Sequence, residues 1–252
     1  MINIHERIIE QIESAPIRDI AVGAFWTAVL AEDPLRCGLA SMIRPEYLHN
    51  EMVTERGYPL QSQNVEALVR LFLSDDPVEA GIGLATVNAL IPVPDTSLQN
   101  INVADMLQES VVKKTVVVVG HFPFVNDLRD VASECHVLEL RPREGDLPAD
   151  RAQDVVPSAE IAVISSTTLM NGSFKELYSL CPDGCAVFLV GGSTPLTPVL
   201  FDYGIDYLAG TVVKDPMAAF RAVRQGARFP QIPGRMPVIM SRNAIWNNTE
   251  EI

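Results

Sequence analysis

The histidine of the sequence GHFPF has the clearest chemical potential in this chain. Residues 115–119, TVVVV, predict a buried strand, and the loop that follows reads Gly120, His121, Phe122 and Pro123. In an open parallel sheet, ligands bind beyond the carboxyl ends of the strands. We therefore expect the His121 imidazole at the ligand edge, where a neutral imidazole can bind a metal ion or transfer a proton. A histidine that only hydrogen-bonds a neighbouring loop is the alternative interpretation.

Glu139 ends the next predicted strand, HVLEL, and lies 20 residues after Val119. An acid at this offset binds the ribose hydroxyls in dinucleotide folds. The glycine fingerprint GxGxxG is absent, however, and Pro123 removes a backbone N–H from the loop. This argues against ordinary NAD binding.

Two further loops combine hydroxyls and glycines just before predicted helices. One loop contributes Thr167, Thr168, Asn171, Gly172 and Ser173, and the other contributes Gly191, Gly192, Ser193 and Thr194. Hydroxyls and backbone N–H groups at a helix start favour an anion such as carboxylate or phosphate. Capping of the two helices is the alternative explanation for the same residues.

Three functions remain open from these residues. The first is a protein that binds an anionic small molecule, with or without a metal. The second is an enzyme with His121 as acid or base and with Glu139 or Asp127 nearby. The third is a nucleotide-dependent protein with Glu139 on the ribose. A P-loop, a nucleophile elbow and the HExxH pattern are all absent from the sequence.

The four cysteines match no common zinc spacing. Cys181 and Cys185 enclose a Pro-Asp-Gly turn, and only Cys37 has a position that suggests the ligand edge. A soft metal ion prefers thiolates. Tight chelation by protein side chains alone is therefore not expected.

The composition narrows the class of protein. The 252 residues carry a formal net charge of −13, which disfavours nucleic acid as a partner. No apolar run reaches the roughly 18 residues of a membrane span. We expect a soluble, cytoplasmic protein whose partner is a small-molecule or metal ligand, with homo-oligomerisation left open.

The chain changes character near residue 112. Before it, the pattern predicts helices at 3–13, 64–73 and 77–90, and strands within 18–30 and 37–43. The small residues of helix 77–90 indicate a close approach by another backbone or by a ligand. The segment 91–97, IPVPDTS, is typical of a linker.

After residue 112, strands alternate with helices, which predicts a parallel sheet covered on both faces. The strands are predicted at 115–119, 136–140, 160–166, 185–191 and 206–213, and the segment from Arg228 onward is predicted to be mostly irregular. We therefore expect an α/β fold with a smaller α+β domain over 1–100 and a Rossmann-like domain over 101–252.

Several segments resemble a bacterial and archaeal family known as the putative heavy-metal chelation family. They are GAFWTAVL, CGLA, GLATVNAL, VVVVGHFPFV, VLELRP, ISSTTLMNGSFKEL and LVGGSTPLTPVLFDYGIDYLAGTVV. The resemblance implies a first domain similar to the N-terminal domain of enolase, a Rossmann-like second domain and a ligand cleft between them. It also implies a role in binding a heavy metal or a metal-chelating small molecule.

The resemblance implies the same three loops as binding elements. They are Gly120–Pro123, the Thr167-to-Ser173 segment and the loop from Gly191 to Pro195, and the resemblance adds Asn88 from the first domain. Gly192 stands where the family usually has proline, so this loop is expected to be less rigid.

Overall fold

The structure is a computed structural model that describes residues 3–43, 64–93 and 98–243. Part of the predicted linker, residues 94–97, lies outside these ranges. The strands in the described residues are β1 Ile17–Val22, β2 Trp26–Ala31, β3 Arg36–Ser41, β4 Leu98–Gln99, β5 Thr115–Val119, β6 Glu134–Glu139, β7 Leu147–Pro148, β8 Ile161–Ser165, β9 Ala186–Val190, β10 Tyr207–Val213 and β11 Arg235–Ser241. The α-helices are α1 Ile4–Ile9, α2 Val65–Arg70, α3 Pro77–Leu90, α4 Val103–Ser110, α5 Val125–Val131, α6 Ala152–Val155, α7 Phe174–Ser179 and α8 Pro216–Arg224.

Contacts group the chain into two compact units that are discontinuous in sequence. The first unit consists of Met1–Val93, Gly192–Val199 and Thr211–Met236, and the second consists of Pro94–Gly191, Leu200–Gly210 and Pro237–Ile252. The predicted division at residue 100 stays a prediction.

The first unit contains an antiparallel sheet in the order β1-β2-β3. All six residues of β2 are buried, since helices cover both faces of the sheet. On one face, Leu30 and Leu39 join Phe220 and Val223 of α8 in a single apolar cluster.

On the other face, α3 lies against β3 and the neighbouring 3₁₀ turn Leu71–Leu73. A Cβ built on Gly38 would come within 2.0 Å of the Ala85 carbonyl oxygen, and one built on Gly83 within 1.9 Å of the Phe72 nitrogen. The close backbone approach expected for helix 77–90 is therefore present. Asp76 begins this helix by accepting hydrogen bonds from the N–H groups of Val78 and Glu79.

The second unit is built on the eight-stranded sheet, in the order β4-β11-β10-β9-β8-β5-β6-β7. The pairs from β10 across to β7 are parallel, whereas β11 and β4 pair antiparallel. Helices cover both faces of this sheet, because Val116 and Val118 pack with α4 and α5 while Val117 packs with α6 and α7. This explains the continuous apolar run of β5, and it confirms the α/β fold class.

Two sequence-based predictions need correction. In its described part, 228–243, the segment from Arg228 onward is not irregular, because it contains the seven-residue strand β11 with Val238, Ile239 and Met240 buried. The prolines of this segment argue against a strand. The proline inside β11, Pro237, is exposed. The alternation of strands and helices also predicts a helix near 195–203, and the structure has the 3₁₀ segment Pro198–Tyr203 there.

The contact at Gly83 predicts whether a Gly83→Ala substitution raises or lowers the free energy of unfolding. Gly→Ala within a helix ordinarily stabilises by about 0.5–1 kcal/mol. We expect Gly83→Ala instead to lower the free energy of unfolding by about 1–3 kcal/mol, because the added methyl group overpacks the Phe72 backbone. Urea unfolding measures this difference. Stabilisation by the variant would show that α3 does not approach the 3₁₀ turn so closely.

Candidate functional site

The strand order of the second unit reverses at β5. From β5 the chain continues to β6 and β7 on one side, and then returns to β8, β9 and β10 on the other side. Such a switch point opens a crevice at the carboxyl ends of the flanking strands. The loops that follow β5 and β8 are therefore the expected location of a ligand site.

His121 follows β5 and is held by a buried carboxylate. Its Nδ1 lies 2.8 Å from Oδ2 of Asp146, in the loop between β6 and β7. The His121 side chain is 17% exposed and the Asp146 side chain is 0% exposed. The imidazole is thus fixed by a partner that is itself immobilised by burial.

Asp146 accepts two further hydrogen bonds. Nη2 of Arg129, from α5, lies 3.1 Å from Oδ1, and the Arg143 backbone N–H donates to Oδ2 at 3.1 Å. Burial alone would raise the pKa of Asp146, but the donors from His121, Arg143 and Arg129 outweigh it and hold the pKa below its ordinary value. The carboxylate is therefore ionised at neutral pH and can only accept.

This arrangement determines which ring nitrogen is available. Because the carboxylate accepts, Nδ1 carries the proton, and the lone pair of the neutral ring lies on Nε2. Within the described part of the chain, the hydrogen bond of the ring is made through Nδ1. A carboxylate on one nitrogen is the usual support for a histidine that binds a metal or accepts a proton through the other.

Glu139 lies beside the same loop and braces its backbone. Its Oε1 accepts from the His121 N–H at 2.8 Å, and its Oε2 accepts from the Leu140 N–H at 3.0 Å. The Gly120 N–H donates to the Leu138 carbonyl at 2.9 Å. Two amides of the GHFP loop are therefore already used, so the loop differs from a phosphate cradle with free N–H groups.

Glycines let the strand ends approach one another closely. Gly120, with φ of +103°, would place a Cβ 3.1 Å from Cβ of Ser165, and Gly191, with φ of +145°, would place one 2.5 Å from Oγ of Ser166. Neither position tolerates a side chain, since both combine left-handed backbone with close contact. Ser166 is buried, and its hydroxyl has no hydrogen-bond partner in the described residues.

The predicted loop after β8 divides into an inner and an outer part. Thr167 Oγ1 lies 2.8 Å from Ser165 Oγ, and buried Thr168 donates to the Ser165 carbonyl. Asn171 Oδ1 accepts from the N–H and the hydroxyl of Ser173 in an exposed turn. Gly172, with φ of +74°, has no atom within 4 Å of its Cβ position. These last three residues form a turn that precedes α7.

Four predicted site residues belong to the first unit, namely Asn88, Gly192, Ser193 and Thr194. Asn88 donates to the carbonyls of Leu39 and Ser193 at 2.9 and 3.0 Å. Ser193 is fully buried, and its Oγ accepts from the Ser41 N–H and donates to the Ser41 hydroxyl. These contacts give Asn88 and Ser193 a structural role in that unit.

The aromatic residues of the GHFP loop pack inward. Phe122 and Phe124 stack with ring centroids 5.1 Å apart, and both lie against the apolar core of the second unit. Pro123 is exposed. Core packing thus accounts for both rings.

The described residues contain no cluster of three or more histidine, cysteine or acidic side chains suited to hold a metal ion. Cys37 is buried in β3, where burial raises its pKa to about 12. The cysteine that looked closest to the ligand edge is therefore an inert thiol in this environment. Among the described helices, none has the length and apolarity needed to cross a membrane.

Asp146 and Arg129 are site residues that the sequence did not reveal. Asp146 lies in the polar loop RPREGDLPAD, whose acidic and basic residues follow no regular spacing. Asp146 reaches Arg129 only because this loop turns back onto α5, and Gly145 allows the turn with φ of +82°. A glycine-acid pair in a polar loop was the only available signal, and it is a weak one.

A family model described as "Putative heavy-metal chelation" matches residues 102–239, which is more than half of the chain. The chain belongs to the DUF364 family. A second model with the same description, DUF4213, matches residues 5–91 of this DUF364 protein.

Two solved structures share its fold. A DUF364 protein of unknown function from Desulfitobacterium hafniense DCB-2 is 26% identical, with a TM-score of 0.80 over 94% of this chain and 97% of that one. A second such protein, from Pyrococcus horikoshii, is 17% identical, with a TM-score of 0.79 and the same coverage. No curated protein matches the chain.

The buried carboxylate predicts an acid-dependent contribution to stability. The folded pKa of Asp146 is lowered, so its contribution is complete above the unfolded value of about 3.9 and is lost as pH falls through the folded pKa. We expect Asp146→Asn to lower the free energy of unfolding by about 1–3 kcal/mol at neutral pH, because the amide removes the charge and one of the two oxygens that accept from His121, Arg129 and Arg143. The difference from wild type should shrink below about pH 4.

Unfolding in urea at several pH values measures this effect. Asp154→Asn is the matched control, because Asp154 pairs with Arg151 on the exposed surface. An exposed pair of this kind contributes about 0–1 kcal/mol. Equal effects of the two substitutions would contradict the structural role of Asp146.

Proposed function

We propose that this DUF364 protein binds a metal ion held by a small-molecule chelator at the carboxyl edge of β5 and β8, with Nε2 of His121 as the ligand from the protein. The observation that carries the proposal is the hydrogen bond from His121 Nδ1 to the buried Asp146 carboxylate. It orients the ring and directs the lone pair to Nε2. The family description supports the same class of ligand.

The charges of the site favour a metal-bearing ligand over a free anion. Asp146 is neutralised by Arg129, whereas Glu139 has no cationic partner among its hydrogen bonds and adds negative charge beside the loop. The amides of Gly120 and His121 are already occupied. A free carboxylate or phosphate would thus find few donors here, while a cation benefits from the nearby carboxylate.

The number of protein ligands favours a chelate over a bare ion. A metal ion held only by protein needs about four ligands, and no three-residue cluster of that kind occurs in the described chain. His121 can supply one imidazole, and the chelator would supply the other donors. The hydroxyls of Ser165 and Thr167, paired at the end of β8, are candidates for contacts with the chelator.

The same geometry also supports a second function, an enzyme with His121 as general base. A carboxylate on Nδ1 holds the imidazole in the tautomer that accepts a proton at Nε2. The proton would move from a bound metabolite to Nε2, while Asp146 stabilises the resulting imidazolium. Screening for metabolite turnover tests this function, and turnover that survives His121→Ala would exclude the role given to the ring.

The binding proposal is tested with Cu²⁺–iminodiacetate, a chelate that leaves coordination positions open for imidazole. We expect untagged wild-type protein to bind one equivalent in calorimetry and His121→Ala to lose this binding. Asp146→Asn should weaken it by about 10–100-fold, because the supporting carboxylate orients the ring. Spectra of the bound Cu²⁺ report whether a nitrogen ligand has been gained.

His136→Ala is the matched control. His136 also faces a carboxylate, Glu134, through Nε2 at 3.3 Å, but Glu134 is exposed and the pair lies on β6 outside the site. This variant should bind the chelate like wild type. Equal binding by His121→Ala and wild type would overturn the proposed function.

A further inference from the structure

A cavity lies at the amino-terminal end of the parallel strands, opposite the carboxyl-edge site. It has a volume of about 560 Å³, and its wall includes the first residues of β9 and β10, Ala186 and Tyr207. This volume falls within the range of small-molecule sites. The carboxyl-edge site uses none of the residues that line this cavity.

Two free thiols, Cys181 and Cys185, line this cavity. The turn CPDGC brings them together, since the Cys185 N–H donates to the Pro182 carbonyl at 3.1 Å and Gly184 has φ of +83°. Interaction between the two thiols lowers the pKa of Cys181 and raises the pKa of Cys185. Both thiols also lie near carbonyl oxygens, of Leu177 and Ala186.

The surroundings of the two thiols favour a cation. Asp183 lies between the cysteines and lines the same cavity, and Cys181 follows the C-cap residue of α7, Leu180. Carbonyl groups at a helix end attract positive charge and disfavour a free thiolate. Asp206 is balanced by Arg242 at 3.2 Å, so Asp183 leaves the cavity with a net negative charge.

Several residues of the wall are held by contacts with their neighbours. Tyr178 packs over Gly204, where a built Cβ would lie 1.6 Å from the tyrosine oxygen. Arg242 donates to the carbonyls of Phe201 and Ile205 at 2.8 Å each. Asp206 accepts from the Val187 N–H at 2.9 Å. The thiols therefore face a cavity in which Asp206 and Arg242 are held by hydrogen bonds.

We propose that Cys181 and Cys185 form a binding site for a soft, thiophilic metal ion at the amino-terminal edge of the sheet. Thiolates are the ligands that such ions select. Each thiol releases its proton to solvent as a sulfur–metal bond forms, the metal gives up bound water, and no electrons are transferred. The remaining coordination positions are filled by water or by a small ligand within the cavity.

Titration with Cd²⁺ in a thiol-free reducing buffer tests this site on the full-length protein. We expect one equivalent of Cd²⁺ to produce the ultraviolet charge-transfer band of a dithiolate complex and to protect two thiols from a thiol-specific dye. Cys181→Ser and Cys185→Ser should each abolish the dithiolate band. Circular dichroism and thermal unfolding establish that each variant is folded.

Cys135→Ser is the matched control, because Cys135 is a half-buried free thiol on β6 outside the cavity. It should leave the band and the stoichiometry unchanged. No dithiolate band in wild type, or a band that persists when both Cys181 and Cys185 are serine, would overturn the site. His121→Ala should retain the band, so this result is independent of the function proposed for the carboxyl edge.

Discussion

The buried carboxylate of Asp146 is the constraint on which the chemistry of the carboxyl edge depends. An ionised group that is shielded from water is costly unless donors surround it. Here the donors come from a strand-end loop, a helix and the carboxylate's own loop, through His121, Arg129 and Arg143. Satisfying one charge therefore fixes three segments in relation to one another, and the orientation of the imidazole follows from that requirement.

Glu139 complements Asp146 by acting on the backbone. Its two oxygens hold the amides of His121 and Leu140, so the loop after β5 is rigid before any ligand arrives. As a consequence, those two amides are not available to donate hydrogen bonds to an anion. The proposal of a cation that brings its own chelator rests on this combination, in which the His121 ring is bound through Nδ1 and the loop amides are occupied within the described residues.

Two predicted binding residues have structural roles in the first unit. Asn88 and Ser193 tie the segment after Gly191 to β3, through the carbonyl of Leu39 and the backbone of Ser41. Ser193 is predicted as a ligand contact because hydroxyls near glycines are common in anion sites, whereas Asn88 is predicted from the family resemblance. The same residues also satisfy buried backbone groups, and a sequence does not distinguish the two uses.

The sequence by itself determined the α/β class, the parallel strands β5, β6, β8, β9 and β10, and the position of His121 after β5. Apolar runs and the glycines that end strands are local signals, so they can be read without the tertiary structure. It also indicated the close approach to α3 through Gly83. Tertiary structure alone decided that Asp146 meets His121 and that Cys181 and Cys185 line a cavity. It also decided that the proline-bearing β11 joins the sheet. The contact of Asp146 with His121 and the pairing of β11 join residues that are distant in sequence. The turn CPDGC is local, but the cavity beside it also needs wall residues from β10 and β11.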